Sequence, residues 1–326
     1  MKAAEHISEQ DSVQSDDSMC FTAKDCRGSA RKESVRMKLV QAGERTFYIE
    51  ANTNIGIYKT GEHSVCLIDT GSVGDGEKID RILCEQGWTL DYIINTHTHI
   101  DHLGGNAFLM EKYGVPAYCT DYDMAFAHFN ELEAAYMNGG KPGRGLMRIF
   151  DHPGKIGFSA IEDYKLEGIE WTYLPGHTFG MIGVRTSDDV WFLADSYLKK
   201  SYLENHCFGY LYDAGGYMET LVKLQSFEGR LFVPAHGDAE TDISEILELN
   251  ILNQKRIWDK VLEICCEPLA LDDILQKMYE FTGMKTNVVN HALLSSTTKG
   301  YLTYLEECGK IKCVFRDGKM TWRSER

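Results

Sequence analysis

The chain has 326 residues, of which 43% are hydrophobic and 25% are charged, proportions typical of a soluble globular protein. Its formal net charge of −15 at pH 7 repels polyanions, which disfavours nucleic acid as a partner. No apolar run reaches the roughly 18 residues of a membrane helix and the amino terminus is too polar for a secretory signal, so we expect a cytoplasmic protein without a membrane partner.

The first 36 residues differ in composition from the rest of the chain. Ser, Asp, Glu and Lys dominate residues 1–36 and hydrophobic periodicity is absent, so we predict a disordered arm, with Met37 as a hypothetical start of the folded protein. A catalytic domain over residues 37–240 and a mainly helical module over residues 241–326 are expected to follow. The first patterns predict strands at residues 46–50, 54–59 and 64–68 and a helix at residues 77–86.

A dense group of potential metal ligands follows the next predicted strand, at residues 91–95. The run Thr-His-Thr-His-Ile-Asp-His at residues 96–102 places four coordinating side chains within six positions. This run is too short and too polar for a packing helix, and it lies on the turn between the strand and a helical pattern near residues 106–113. Ligand pockets of α/β sheets lie at such carboxyl ends of strands.

Three more candidate ligands occur farther along the chain, each at or just after the end of an apolar strand pattern. They are His177 after residues 169–174, Asp195 after residues 190–194 and His236 after residues 231–235. Imidazole nitrogen and carboxylate oxygen suit zinc and similar divalent ions. Because seven ligands are too many for one tetrahedral ion, the sequence predicts a site for two metals.

This arrangement resembles the metallo-β-lactamase superfamily over residues 38–240, and its Asp-His-x-Gly-Gly-Asn continuation is most similar to glyoxalase II-like hydrolases. The resemblance implies an α+β fold, a four-layer αββα sandwich with the metals at one edge. Zinc is the expected metal, with iron and manganese left open. The implied ligands are His97, His99 and His177 for the first metal, Asp101, His102 and His236 for the second, and Asp195 as a bridge between both.

The resemblance also implies a hydrolytic mechanism. A hydroxide between the two ions would attack the substrate, since the metals lower the pKa of the bound water. Asp195 would act as the bridging catalytic ligand, and Asp101 has a second catalytic role open to it, as acceptor of a proton that it steers to the leaving group. Asp69, in an early Leu-Ile-Asp-Thr-Gly turn, would anchor the ligand loop through hydrogen bonds, with an ordinary turn cap as the alternative.

The segments on either side of Asp195 have separate patterns, and the one after it is the predicted specificity region. Before it, we predict a strand at residues 116–119, a helix near residues 122–137 and a glycine-rich flap or connector at residues 138–145. After it, aromatic rings crowd a short stretch, as a small-molecule pocket requires, although rings packed on the sandwich and a solvated lysine are the alternative. The substrate-binding candidates are Tyr202, His206, Phe208, Tyr210 and Lys200.

The carboxyl-terminal module has its own pattern. Helices are predicted at residues 243–266 and 271–281 and two more within residues 287–308, followed by a hairpin around residues 317–318. Helices before a two-stranded wing resemble a winged-helix module. Residues 285–326 contain eight Lys and Arg against four Asp and Glu, so a local nucleic-acid contact stays open. Capping of the active-site mouth and homodimer formation are the alternatives.

The leading hypothesis is a dinuclear metal hydrolase of a small-molecule thioester, ester or lactone. An endoribonuclease or phosphodiesterase that binds nucleic acid through the winged helix is the alternative, and a metal-dependent sensor or scaffold is a third reading. Steep salt dependence of RNA binding would favour the second hypothesis. Thioester turnover that survives deletion of residues 268–326 would favour the first.

Overall fold

The computed structural model of the chain describes residues 37–129, 131–150, 156–205 and 208–325. The predicted disordered arm at residues 1–36 and the substrate candidate His206 lie outside these ranges. Within them, no helix has the length and apolar character needed to cross a membrane.

The first sheet has seven strands that lie in the sheet in the order in which they occur in the chain. The first four are antiparallel to one another, and the last three continue in parallel from the fourth. The carboxyl ends of the parallel strands therefore meet at one edge. The strands are β1 (Lys38–Gln41), β2 (Thr46–Glu50), β3 (Ile55–Lys59), β4 (Ser64–Ile68), β5 (Thr89–Ile94), β6 (Ala117–Cys119) and β7 (Phe158–Ala160).

The second sheet has four strands in the order β11-β10-β9-β8. Strands β10 and β11 are parallel, and the other pairs are antiparallel. Gly56 lets the two sheets approach closely, since a Cβ atom at this position would lie 2.7 Å from the Phe192 ring. The strands are β8 (Ile169–Tyr173), β9 (Ile182–Thr186), β10 (Val190–Phe192) and β11 (Leu231–Val233).

Alternation of side chains along each strand produces the layers. In β4, Leu67 faces the outer helices with Ile79, whereas Ile68 faces the second sheet. In β10, Phe192 faces the first sheet and Trp191 faces the helices on the other side. The chain therefore forms an αββα sandwich, as the sequence predicts.

Within the described residues before β7 there are six α-helices, and one helix prediction in this region is wrong. Instead of one helix near residues 122–137, the backbone leaves the helical region at Phe129, with φ −131° and ψ 77°. The two pieces bury different partners, since Ala127 packs near Leu103 and Ala134 packs with Leu293. The helices are α1 (Gly76–Gln86), α2 (Ile100–Leu103), α3 (Asn106–Tyr113), α4 (Asp121–His128), α5 (Glu131–Asn138) and α6 (Arg144–Met147).

The carboxyl-terminal region contains long helices and a three-stranded sheet in the order β12-β14-β13. One continuous helix replaces the two predicted within residues 287–308. Its Ser- and Thr-rich centre has weak helix propensity, but burial of Leu294 and Tyr301 stabilises the helix through tertiary packing. The elements are α7 (Lys200–Asn205), α8 (Ala214–Leu224), α9 (Ser244–Ile264), β12 (Leu269–Ala270), α10 (Leu271–Thr282), α11 (Val288–Glu307), β13 (Ile311–Arg316) and β14 (Lys319–Ser324).

One hydrophobic cluster joins the second sheet to the carboxyl-terminal helices. Leu193 and Tyr217 belong to the same cluster as Ile257 of α9 and Leu294 of α11. The module predicted to begin at residue 241 thus shares a core with the sandwich, and the position of the domain boundary stays a prediction. Helix α11 also packs against α5 and α6 through Leu293, so the glycine-rich segment before α6 connects packed elements.

Candidate metal centre

The seven predicted ligands meet at the edge of the sandwich where strands of both sheets end. His97 and His99 follow β5, Asp195 follows β10 and His236 follows β11, while His177 lies in the turn between β8 and β9. Four of the seven residues are at most 5% exposed, and a fifth, His177, is 8% exposed. So many buried ionisable groups are costly unless they are paired or bind an ion.

Three imidazole rings form the first group of donors. His99 Nδ1 lies 3.1 Å from His97 Nε2 and 2.9 Å from His177 Nε2. Burial is the main cause of the lowered pKa of His97. It is also the main reason why the pKa of His177 falls to about 4. Neutral rings expose nitrogen lone pairs, which is the state that metal ligation requires.

A second group contains two carboxylates and two imidazoles. His236 Nε2 lies 3.2 Å from Asp101 Oδ2 and 3.6 Å from Asp195 Oδ1, and His102 Nε2 lies 3.4 Å from the same Asp195 oxygen. The other Asp195 oxygen, Oδ2, lies 3.2 Å from His177 Nε2. Burial would raise the pKa of Asp195, but the surrounding imidazoles hold it well below its usual range. Asp195 is therefore an anionic side chain that faces both groups.

These residues fit bound divalent metal ions. In the described part of the chain, the donor atoms fall into three overlapping groups, and within each group all atoms lie within 4.8 Å of one another. His102 Nε2 and Asp195 Oδ1 are buried and have no hydrogen-bond partner among the described residues. Buried polar atoms without partners are destabilising unless a ligand satisfies them. The groups are His97 with His99 and His177, His97 with His102 and Asp195, and Asp101 with His102 and His236.

Hydrogen bonds from outside the cluster orient its rings. Asp69 accepts hydrogen bonds from the Thr96 backbone N–H and hydroxyl, both at 2.8 Å, and its Oδ2 lies 2.9 Å from His102 Nδ1. Burial would lower the pKa of His102, but Asp69 and the other nearby carboxylates raise it. The carbonyl of Asn52 lies 2.8 Å from His236 Nδ1. Each contact leaves the opposite Nε2 atom directed into the cluster.

The ligand run itself is more regular than predicted, because its second half forms α2. Asp101 and His102 lie in this single helical turn, which continues through two glycines into α3. A Cβ atom at Gly104 would lie 2.3 Å from the backbone of Ser72 and Val73, so only glycine permits this approach. The short distance between the two segments allows Asp69 to reach the run.

A pocket of about 870 Å³, including its opening to solvent, adjoins the cluster. Of the predicted substrate-binding candidates, three line this pocket and Lys200 does not. The three are Tyr202, Phe208 and Tyr210. The Lys200 ammonium pairs instead with Glu245 at 2.9 Å, because it projects from the exposed side of α7. The sequence left open that the carboxyl-terminal module caps the active-site mouth, but it did not identify the residues of the pocket wall that this region forms, because no motif marks them. That wall contains Met284, Leu293, Leu294 and Thr297.

Comparisons with known proteins agree with this geometry. Residues 49–236 match the family model described as metallo-beta-lactamase superfamily. The chain belongs to the metallo-β-lactamase superfamily. A probable metallo-hydrolase of Bacillus subtilis, YqgX, is 31% identical over 190 residues, which cover 55% of this chain and 82% of that protein.

Two further relatives cover most of the chain. The atrochrysone carboxyl ACP thioesterase of Emericella nidulans is 27% identical over 283 residues, 83% of this chain and 79% of that protein. A metallo-beta-lactamase family protein of Thermus thermophilus superposes with a TM-score of 0.63 at 16% identity, over 91% of this chain and 100% of that one. The superfamily member described here is thus a hydrolase, and its fold implies divalent metal ions.

Proposed function

We propose that this protein is a dinuclear metal-dependent hydrolase of a small thioester, with a site of the glyoxalase II type. The observation that carries the proposal is the position of the donor cluster at the end of a largely apolar pocket. Leu293 and Leu294 form one side of this pocket, and Phe208 and Tyr210 form another. An acyl group suits such walls, while its carbonyl would lie beside the cluster.

A relative that covers most of the chain supports the choice of a thioester. The Emericella protein carries the name of a thioesterase, and its similarity extends over 83% of this chain. Esters and lactones present a similar carbonyl, so they are the neighbouring substrate classes. Family membership alone does not select among them, because function depends on the site.

The seven side chains have distinct proposed roles. His97, His99 and His177 would hold one ion, Asp101, His102 and His236 the other, and Asp195 both. Bound zinc, or iron or manganese in its place, would supply a water of lowered pKa and neutralise charge on the reacting carbonyl. Asp101 would also accept a proton and pass it to the leaving thiolate.

The walls of the site would bind and shield the substrate. Tyr202 and Phe208 are buried aromatic side chains that exclude water from the acyl portion. The carbonyl of Tyr210 lies 3.1 Å from His177 Nδ1, so the loop that forms the pocket also orients a proposed ligand. Pocket shape and metal geometry are coupled through this loop.

We infer that the carboxyl-terminal module is winged-helix-like, because α10 and α11 precede the hairpin β13–β14. We infer that this winged-helix-like module borders the pocket instead of reading nucleic acid. Helix α11 buries Leu293, Leu294 and Tyr301 within the fold, whereas a recognition helix must expose side chains to enter a groove.

The test is a substrate panel on metal-loaded, full-length protein. Acyl thioesters of increasing chain length, an ester, a lactone, a phosphodiester and a short RNA are compared by kcat/KM. We expect thioesters to give the highest value, with KM falling as the acyl chain fills the apolar pocket. Faster cleavage of the phosphodiester or RNA than of every thioester would overturn the proposal.

A further inference from the structure

A buried carboxylate outside the ligand set lies against one of the proposed metal ligands. Glu133 Oε1 is 2.9 Å from His99 Nε2, and the Glu133 side chain is 11% exposed. Neither Glu133 nor the helix that carries it belongs to the sequence motif of the metal centre. A carboxylate in so buried a position needs a polar partner, and the imidazole is at hydrogen-bond distance.

The two nitrogens of His99 face different surroundings. Nδ1 faces the cluster, at 3.1 Å from His97 and 2.9 Å from His177. Nε2 is buried without a hydrogen-bond partner among the described residues, and the Glu133 carboxylate lies within ion-pair distance of it. The ring can therefore present a lone pair to the cluster at Nδ1 only if its proton is on Nε2.

We propose that Glu133 is a positioning residue that accepts the Nε2–H of His99 and thereby holds Nδ1 as the ligand atom of one metal. This inference rests on the metal centre of the proposed function. A carboxylate behind a ligating imidazole fixes the tautomer and ring orientation and increases ligand basicity. Glu133 would act on the ion held by His97, His99 and His177, and not on the ion held by Asp101, His102 and His236.

The surrounding packing fixes Glu133 in place. Its helix, α5, buries Ala134 and Met137 against Leu293 of α11. The hydroxyl of Tyr136, on the same helix, contacts the hydroxyl of Tyr210. Tyr210 lies in the loop at residues 208–213, the pocket loop. Helix α11 thus packs against the helix that carries the carboxylate and also forms part of the pocket wall. Through these two contacts, α11 would connect substrate binding with the geometry of one metal.

The experiment measures metal release without any substrate. Zinc-loaded full-length protein is titrated with a chelator, and the two zinc equivalents are followed separately in wild type, Glu133→Ala and Glu133→Gln. In Glu133→Ala we expect one equivalent to leave at about 10–100-fold lower chelator concentration, with the other unchanged. Glu133→Gln, whose amide oxygen still accepts a hydrogen bond, should shift the same equivalent by less.

Glu131→Ala is the matched control, because Glu131 is an exposed acid two positions earlier on the same helix. Its release curve should coincide with that of wild type. Unchanged release from Glu133→Ala would overturn the proposal, and so would equal weakening of both equivalents. If Glu133→Ala does not fold, the single-site shift in Glu133→Gln decides, and its absence overturns the proposal. Failure of thioester hydrolysis would leave this result unaffected, since the assay contains no substrate.

Discussion

Asp195 is the residue whose loss should affect both groups of donors. One of its oxygens lies 3.4 Å from His102 Nε2, and the other lies 3.2 Å from His177 Nε2. We expect Asp195→Ala to lower kcat/KM by more than about 100-fold, beyond the usual effect of residues outside the ligand set, and to reduce bound metal below two per chain. Elemental analysis and steady-state kinetics on the same preparation would test this.

His63→Ala serves as the control for that prediction. His63 is an exposed histidine whose ring lies near Glu62, far in the sequence from the cluster. Its removal should leave metal content and turnover unchanged. Full activity of Asp195→Ala would contradict the proposed bridging role.

Asp69 should contribute to stability as well as to ligand orientation. Its carboxylate accepts two hydrogen bonds from Thr96 and contacts His102, and its backbone has a φ of 62°. In Asp69→Ala these buried donors lose their acceptor, and a residue less tolerant of positive φ replaces Asp. We expect the free energy of unfolding to fall by about 3 kcal/mol, measured by urea denaturation of the zinc-loaded protein.

A matched substitution separates this effect from the loss of any aspartate. Asp91 also accepts a hydrogen bond from a threonine hydroxyl, that of Thr60, but at an exposed site. Asp91→Ala should change the free energy of unfolding by no more than about 0.5 kcal/mol. Equal effects of the two substitutions would count against Asp69 as the anchor of the ligand loop.

The site residues that the sequence could identify are those that belong to short motifs with a fixed spacing. The run 96–102 and Asp69 lie in short motifs, and their grouping follows from strand ends that share an edge. Glu133 gives no such signal, because its contact with His99 depends on how α5 packs. Lys200 illustrates the opposite case: its position suggested the pocket, but the orientation of α7 directs it to Glu245.

At the level of elements, prediction succeeded for short apolar runs bounded by polar residues and failed where tertiary packing decides the helix bounds. The strands at residues 46–50 and 64–68 have the predicted bounds, since each is a short apolar run with polar residues at its ends. The break at Phe129 and the continuity of α11 follow instead from the partners that each helix buries. Propensity is a weak guide in such segments.

Gly300 of α11 lies against the backbone of the loop that contains Tyr210 and Tyr212. A Cβ atom there would lie 2.9 Å from the Tyr212 carbonyl oxygen. Gly300→Ala should therefore displace the loop that carries Tyr210, the residue whose carbonyl contacts His177. We expect a loss of about 1–3 kcal/mol in stability together with a higher KM for thioesters, measured by urea denaturation and kinetics.

Gly145 offers the control for this prediction. It also lies in a helix, α6, but nothing lies within 4 Å of a Cβ atom built there. Gly145→Ala should be neutral or stabilising, since alanine has the higher helix propensity. A Gly300→Ala variant as stable and active as Gly145→Ala would show that the loop does not depend on this contact.

At the scale of the whole molecule, the carboxyl-terminal helices share a hydrophobic core with the sandwich and do not pack as a separate unit. Deletion of residues 268–326 would remove Leu294 and Tyr301 from the cluster that covers Tyr217 and Leu221. It would also remove the wall of the pocket formed by α11. Because that deletion would disrupt both the core and the pocket, it cannot distinguish thioester hydrolysis from nucleic-acid cleavage. Point substitutions on α11 are the better test.

The buried donor cluster should make the stability of the entire chain depend on metal. A ligand that binds only the folded state stabilises it by about 2.7 kcal/mol at 100 times its Kd. We expect a chelator to lower Tm by roughly 5–10 °C, given two proposed ions and the size of the folded chain. In Asp195→Ala the same treatment should lower Tm by less, because less metal is bound before the chelator is added. Equal Tm values with and without chelator in the wild-type protein would contradict metal binding by this cluster.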